Sequence, residues 1–256
     1  MRPEEIFHQI VAAIKASDDK TRLDFDDISP ETAEWLYQSL YDASNNLERR
    51  RFKFCYNSDR QSLHISMPTK IHESVPLWLN GCCGLWALKG LVPDTWYEDV
   101  GTAGNPRFDN FSHPYEGSIK EPDGVMLRMG HDYPVLVVEV NWSESWAKLE
   151  EDRALWMRGF GQNAPVVILV KFSDSQNGVR GTLEIAFKRA GGTVTSRKTI
   201  WSIPDEDEED PYILLGDIYG SSLPAGFDPL TRLPMEMSRL RRWGDELLRH
   251  MNLTSA

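Results

Sequence analysis

The sequence predicts an α/β fold, with a central mixed sheet flanked by helices, an N-terminal helical and hairpin addition and a C-terminal helical one. Three observations carry this expectation. Two apolar runs, residues 134–140 and 164–170, have strand length and are rich in Val. A segment of helical period, 144–160, separates them, the alternation of an α/β chain. The first run is apolar on both faces until Glu139, as in a central strand covered from both sides.

Taken in order, residues 3–16 read as an amphipathic helix with Ile6, Ile10, Val11 and Ile14 on one stripe. Ser29-Pro30-Glu31 starts a second helix, Pro suiting the first turn, which runs through Trp35, Leu36 and Leu40. Residues 51–56 and 62–67 form a hairpin around Asn57-Ser-Asp-Arg60. A Trp- and Leu-rich helix follows, with Pro76 in its first turn and its end near Gly90; Gly81 and Gly84 weaken its interior. Residues 98–111 read as irregular or a bent strand. Then come strand 117–128, a turn at Gly130-His-Asp132, strand 135–141, helix 144–160, and strands 166–172, 181–189 and 193–203. The tail, 231–251, is helical through Leu240, Trp243 and Leu247. With no repeat and no long linker, the expectation is one domain over 1–256, its core at 72–203 between additions at 1–67 and 204–256.

Composition sets limits on function. No run of eighteen apolar residues exists, so no membrane span or membrane partner is expected. Met1-Arg-Pro-Glu-Glu lacks a signal pattern, and the three Cys, two of them adjacent, give neither a disulfide framework nor zinc-ligand spacing. An intracellular, cytoplasmic or nuclear, setting is expected, in which the sequons at Asn110, Asn141 and Asn252 carry no meaning. A net charge of -11 works against simple phosphate binding. Much of that charge is local to the acidic run 205–210, and basic islands lie at 49–53, 188–198 and 239–242. The six His lack ligand spacing, and no phosphate loop, nucleophile elbow or dinucleotide fingerprint occurs.

The chemistry rests on carboxylates in apolar strands. An isolated carboxylate among Val and Leu is costly unless it is paired or binds a cation. Val135, Val137, Glu139 and Asn141 share one face of their strand, and the Gly130 turn allows a hairpin that brings Asp123 beside Glu139. Two hard oxygen ligands from neighbouring strands suit Mg²⁺ or Mn²⁺, with water and substrate phosphate completing the shell. Each residue also has a plainer reading: Glu139 ion-paired with Arg128 or Arg153, Asp123 as the turn residue of Pro-Asp-Gly, Glu73 as a helix-start carboxylate.

Pro122-Asp123, Glu139-Val140, Ser143-Glu-Ser145, Leu149, Asp152 and Trp156 stand in an order that resembles the PD-(D/E)XK nuclease superfamily, in particular its fungal restriction-endonuclease-like proteins. The resemblance covers roughly residues 72–172. It implies a restriction-endonuclease-like core and metal-dependent phosphodiester hydrolysis of nucleic acid. Asp123 and Glu139 would be the metal ligands and Glu73 a third. The superfamily's Lys falls at Asn141, and an amide can neither act as general base nor supply a positive charge. Lys171, Lys148 and Lys120 are the candidates for a migrated Lys, with Lys171 preferred because it ends a buried strand. Two other expectations accompany this one: a nuclease-fold binding module without turnover, and an enzyme acting on a small-molecule ligand in the former cleft. Partners are thus nucleic acid, a small molecule, or a second copy in a homodimer.

Overall fold

The computed structural model describes residues 1–16, 22–47, 50–142, 145–203 and 209–256. Arg49 of the first basic island, Ser143 and Glu144 of the Ser-x-Ser motif, and residues 205–208 of the acidic run lie outside the described residues. The elements are α1 (Pro3–Ala16), β1 (Arg22–Phe25), α2 (Pro30–Tyr41), β2 (Lys53–Asn57), β3 (Ser62–Ser66), α3 (Ser74–Leu88), α4 (Trp96–Asp99), β4 (Val100–Ala103), β5 (Ile119–Lys120) and β6 (Gly124–Arg128). After these come β7 (Pro134–Trp142), α5 (Trp146–Gly159), β8 (Val166–Ser175), β9 (Gly178–Arg189), β10 (Gly192–Trp201), β11 (Tyr212–Leu214), α6 (Leu215–Tyr219), β12 (Arg232–Pro234) and α7 (Met237–Arg249). They fall into two compact units interleaved in sequence, 1–69 with 105–121, and 70–104 with 122–256.

In the first unit the order of the four-stranded sheet is β1-β3-β2-β5, all antiparallel. Phe54, Tyr56, Leu63, Ile65 and Ile119 form its apolar face and pack with Ile6, Ile10 and Ile14 of α1 and Leu36 and Leu40 of α2. The isoleucine stripe read from the sequence is what α1 buries. Ser29 caps α2, its Oγ accepting from Thr32 N–H at 3.3 Å, and Pro30 follows in the first turn.

The second unit is built on a six-stranded sheet in the order β10-β9-β8-β7-β6-β4. Only β7 and β8 run parallel, joined through α5; the other neighbours are antiparallel, so the sheet is mixed and flanked by helices as expected. One face carries Met126, Leu136, Val138, Val140, Ile168, Val170, Leu183 and Ile185, buried with Trp78, Leu79 and Trp86 of α3 and Leu240 and Leu248 of α7. Close packing accounts for Gly81 of α3 and Gly244 of α7. A Cβ on Gly81 would meet Arg239 Cδ at 2.8 Å, and one on Gly244 would meet the Trp201 ring at 2.4 Å. On the opposite face of β7 and β8 sits α5, whose Leu149, Leu155 and Trp156 are buried.

Three segments differ from expectation. The tail expected to be helical over 231–251 begins as β12, paired with β11, and is helical only from Met237. The span 117–128 is not one strand: β5 joins the first unit's sheet and β6 the second's, the break falling at Glu121-Pro122-Asp123. Pro122 has no N–H to give to a ladder, and Asp123 meets β7 with its backbone N–H and with its side chain. Within 98–111, β4 forms as an edge strand on β6, preceded by the single turn of α4.

Candidate functional site

Asp123, buried immediately before β6, is tied to β7 on both sides of Glu139. Its N–H donates to Val138 O at 2.9 Å and its Oδ2 accepts from Val140 N–H at 2.7 Å. The hairpin across Gly130 thus sets the two acidic residues side by side. Glu139, 2% exposed, lies on the face of β7 covered by α5. There Trp156 Nε1–H donates to Glu139 Oε1 at 2.7 Å, a bond to an ionisable acceptor in a dry setting. The indole is itself fixed by parallel stacking on Phe160, centroids 5.9 Å apart and planes 6° from parallel.

The parallel pairing of β7 with β8 fixes the position of Lys171. Glu139 is level with Leu169, and Asn141 with Lys171. Lys171 therefore shares Glu139's face, two residues farther along and one strand over, about 4.8 Å in the hydrogen-bonding direction. Lys148, on the first turn of α5, reaches Glu151 at 3.4 Å. Lys120 belongs to the first unit, where it pairs with Cys55 across β5 and β2. Glu73 is the exposed N-cap residue of α3 and makes no capping bond. That helix packs on the other face, with Pro76 Cγ 3.4 Å from where a Cβ on Gly124 would stand. Among the described residues no group of three or more His, Cys, Asp or Glu side chains is placed to hold a metal, so Glu73 does not join Asp123 and Glu139 there.

Neither arginine offered as an ion-pair partner for Glu139 is bonded to it. Arg153 goes to Glu184, and Arg128 donates to the Tyr219 carbonyl. Glu184 sits level with Leu169 in the β8–β9 ladder, hence in the same row as Glu139. It accepts from Arg153 Nη1 and, at 3.1 and 2.6 Å, from Nε and Nη2 of Arg197. The Arg197 guanidinium also lies over the Trp146 ring at 4.2 Å. Compared with protein-family models, with curated proteins and with solved structures, the chain matches none.

Glu184 was legible by the criterion applied to Glu139: a carboxylate in a strand whose flanking residues, Leu183 and Ile185, are apolar. Trp156 gave only a packing signal, since an indole's hydrogen-bond partner depends on what lies beneath its helix. Arg153 and Arg197 share one carboxylate, and Lys171 and Arg180 follow on the same side of β8 and β9.

Proposed function

We propose that the chain is a metal-dependent phosphodiester hydrolase acting on nucleic acid. The observation that carries this reading is the hold of Asp123 on the backbone either side of Glu139, with Lys171 on the same sheet face at the level of Asn141. Two carboxylates suit Mg²⁺ or Mn²⁺, cations that keep several waters and take one or two protein carboxylates beside substrate oxygens. Asp123 and Glu139 would hold the cation, which polarises a phosphoryl oxygen and lowers the pKa of bound water. Val140 N–H and the Trp156 indole orient the two carboxylates, as supporting bonds around metal ligands do. Lys171 supplies the positive charge that Asn141 lacks, and Asn141 presents an amide to water or substrate. Arg197, in the row of Glu184, and Arg180, farther along that face, attract the phosphate backbone.

A second reading, a binding module without turnover, is favoured by Asn141 itself and by the protein donors that already occupy both carboxylates. Calorimetric Mn²⁺ titration and cleavage of labelled single- and double-stranded DNA separate the two. Under the first reading, Asp123→Ala abolishes metal binding and cleavage, and Lys171→Met lowers cleavage about 100-fold with metal binding kept. Metal binding absent from both wild type and Asp123→Ala removes the hydrolase reading. DNA binding without cleavage establishes the module. Turnover of a small phosphoester with no affinity for DNA points to the small-molecule enzyme.

A further inference from the structure

At the other end of β7, some 20 Å from Asn141 by strand rise, the second unit holds a polar cavity of about 340 Å³. It opens between the β6–β7 turn, the segment before β8, and α6 with the residues that follow it. Its wall includes Arg128, His131, Gln162, Asn163, Asp217 and Ser222. Its size lies at the lower end of small-molecule sites, which span about 300–1,000 Å³.

Arg128 sets the chemistry. Its guanidinium donates to the Tyr219 carbonyl, to His131 Nε2 and, at 3.1 Å, to Ser222 Oγ. The Tyr219 carbonyl and the Ser222 hydroxyl carry no charge to offset the guanidinium. Among the described residues Arg128 forms no ion pair, and neither Nε–H nor the second Nη1–H has a protein acceptor. The nearby acids are engaged elsewhere. Asp217 on the same wall accepts from Arg189 at 2.7 and 3.0 Å and from Leu214 N–H at 2.9 Å. Asp99 accepts from Thr95 Oγ1 at 2.6 Å and from Tyr219 O–H at 3.3 Å. A half-buried guanidinium with donors left over, and hydroxyl and carboxamide side chains around it, is a prepared receptor for an oxyanion.

We infer that this cavity binds a small polar anion through a phosphate or carboxylate head group seated on Arg128 and Ser222, with Gln162 and Asn163 meeting the polar body. The site is independent of Asp123 and Glu139 and does not rest on their assignment. Inorganic phosphate, citrate and a short single-stranded DNA, each titrated into the full chain without divalent metal, identify the head group and its source. Wild type binds phosphate or citrate at millimolar strength and gains a few degrees in Tm at saturation. Arg128→Gln weakens that binding at least tenfold, whereas Asp123→Ala leaves it unchanged. Arg128 also anchors the Tyr219 carbonyl, so Ser221→Asp serves as a second variant that puts a negative charge at the mouth and keeps Arg128. It abolishes anion binding while the Tm without ligand stays that of wild type. No response of wild type to either small anion, or an equal response in Ser221→Asp, overturns the inference. Binding confined to the DNA also overturns it, by making the cavity part of a nucleic-acid surface.

Discussion

Both units bury a carboxylate beside a sheet and satisfy it by opposite means. In the first, Glu121 accepts from the Tyr37 hydroxyl at 3.3 Å, the Tyr41 hydroxyl at 2.7 Å and Phe54 N–H at 2.7 Å. Burial pushes its carboxyl above the usual range, opposed by those bonds and by the charge of Lys53. In the second, Glu184 is enclosed by two guanidiniums, one of them stacked on Trp146. A carboxylate satisfied mainly by neutral donors stays sensitive to protonation. One gripped by two arginines becomes part of the frame, and its removal strands like charges together.

The largest effect that should separate the units is therefore Glu184→Ala. It leaves Arg153 and Arg197 facing each other without their anion. Breaking a buried pair costs about 3–5 kcal/mol, and the lower end is expected because the side chains of Arg153 and Arg197 are 24% and 49% exposed. Urea unfolding at pH 7 measures it; a loss below about 1 kcal/mol would rank the cluster with ordinary surface pairs. Trp156→Phe should come next. It keeps an aromatic ring, smaller than the indole, but removes Glu139's indole donor, costing about 1–3 kcal/mol and weakening Mn²⁺ binding about 10- to 100-fold if Glu139 is a ligand. Stability lost with Mn²⁺ affinity unchanged would confine Trp156 to a packing role.

The pH response should run the other way and single out the first unit. Burial pushes Tyr37 and Tyr56 up to about 12, the charge of Glu121 adding to the effect at Tyr37, and it raises Tyr41 as well. In the second unit burial and the charge of Asp99 push Tyr219 up to about 12. A raised folded-state pKa contributes stability that is present below the unfolded value of about 10 and lost as pH rises through the folded value. Hydrogen exchange followed segment by segment should show protection falling between pH 10 and 12 more steeply in residues 22–66 than in 166–201; equal slopes would contradict this. By the same sign, Glu121's contribution is present below the unfolded value of 4.5 and lost as pH rises through its higher folded value. The stability of wild type relative to Glu121→Gln should therefore be greatest near pH 4.5 and shrink toward neutrality.

The smallest contrast concerns helix starts. Ser29 caps α2 through its hydroxyl, whereas Ser145, the N-cap residue of α5, makes no side-chain cap bond. Ser29→Ala should cost about 1 kcal/mol and Ser145→Ala close to nothing, as read from urea midpoints. Equal losses would show that the hydroxyl at 29 is not what holds that helix start.

By itself the sequence determined what depends on short separations. The period of Ile6, Ile10 and Ile14 marked the buried stripe of α1, because a helix repeats every 3.6 residues whatever it packs on. The turn at Gly130 brought Asp123 beside Glu139, because a short hairpin leaves its strands little choice of register. Tertiary structure alone decided what depends on distant pairing. Residues 117–128 divided between two sheets at Pro122, a choice fixed by which strands were there to receive each half. Lys171 came level with Asn141 only through the register of a parallel pair separated by a whole helix. Arg153 found Glu184 and not Glu139, and Trp156 found Glu139, because the crossing of α5 over the sheet sets which side chain lies above which strand. Period and turn chemistry act between residues a few positions apart, whereas side-chain partners across a sheet are set by packing among segments far apart in the chain.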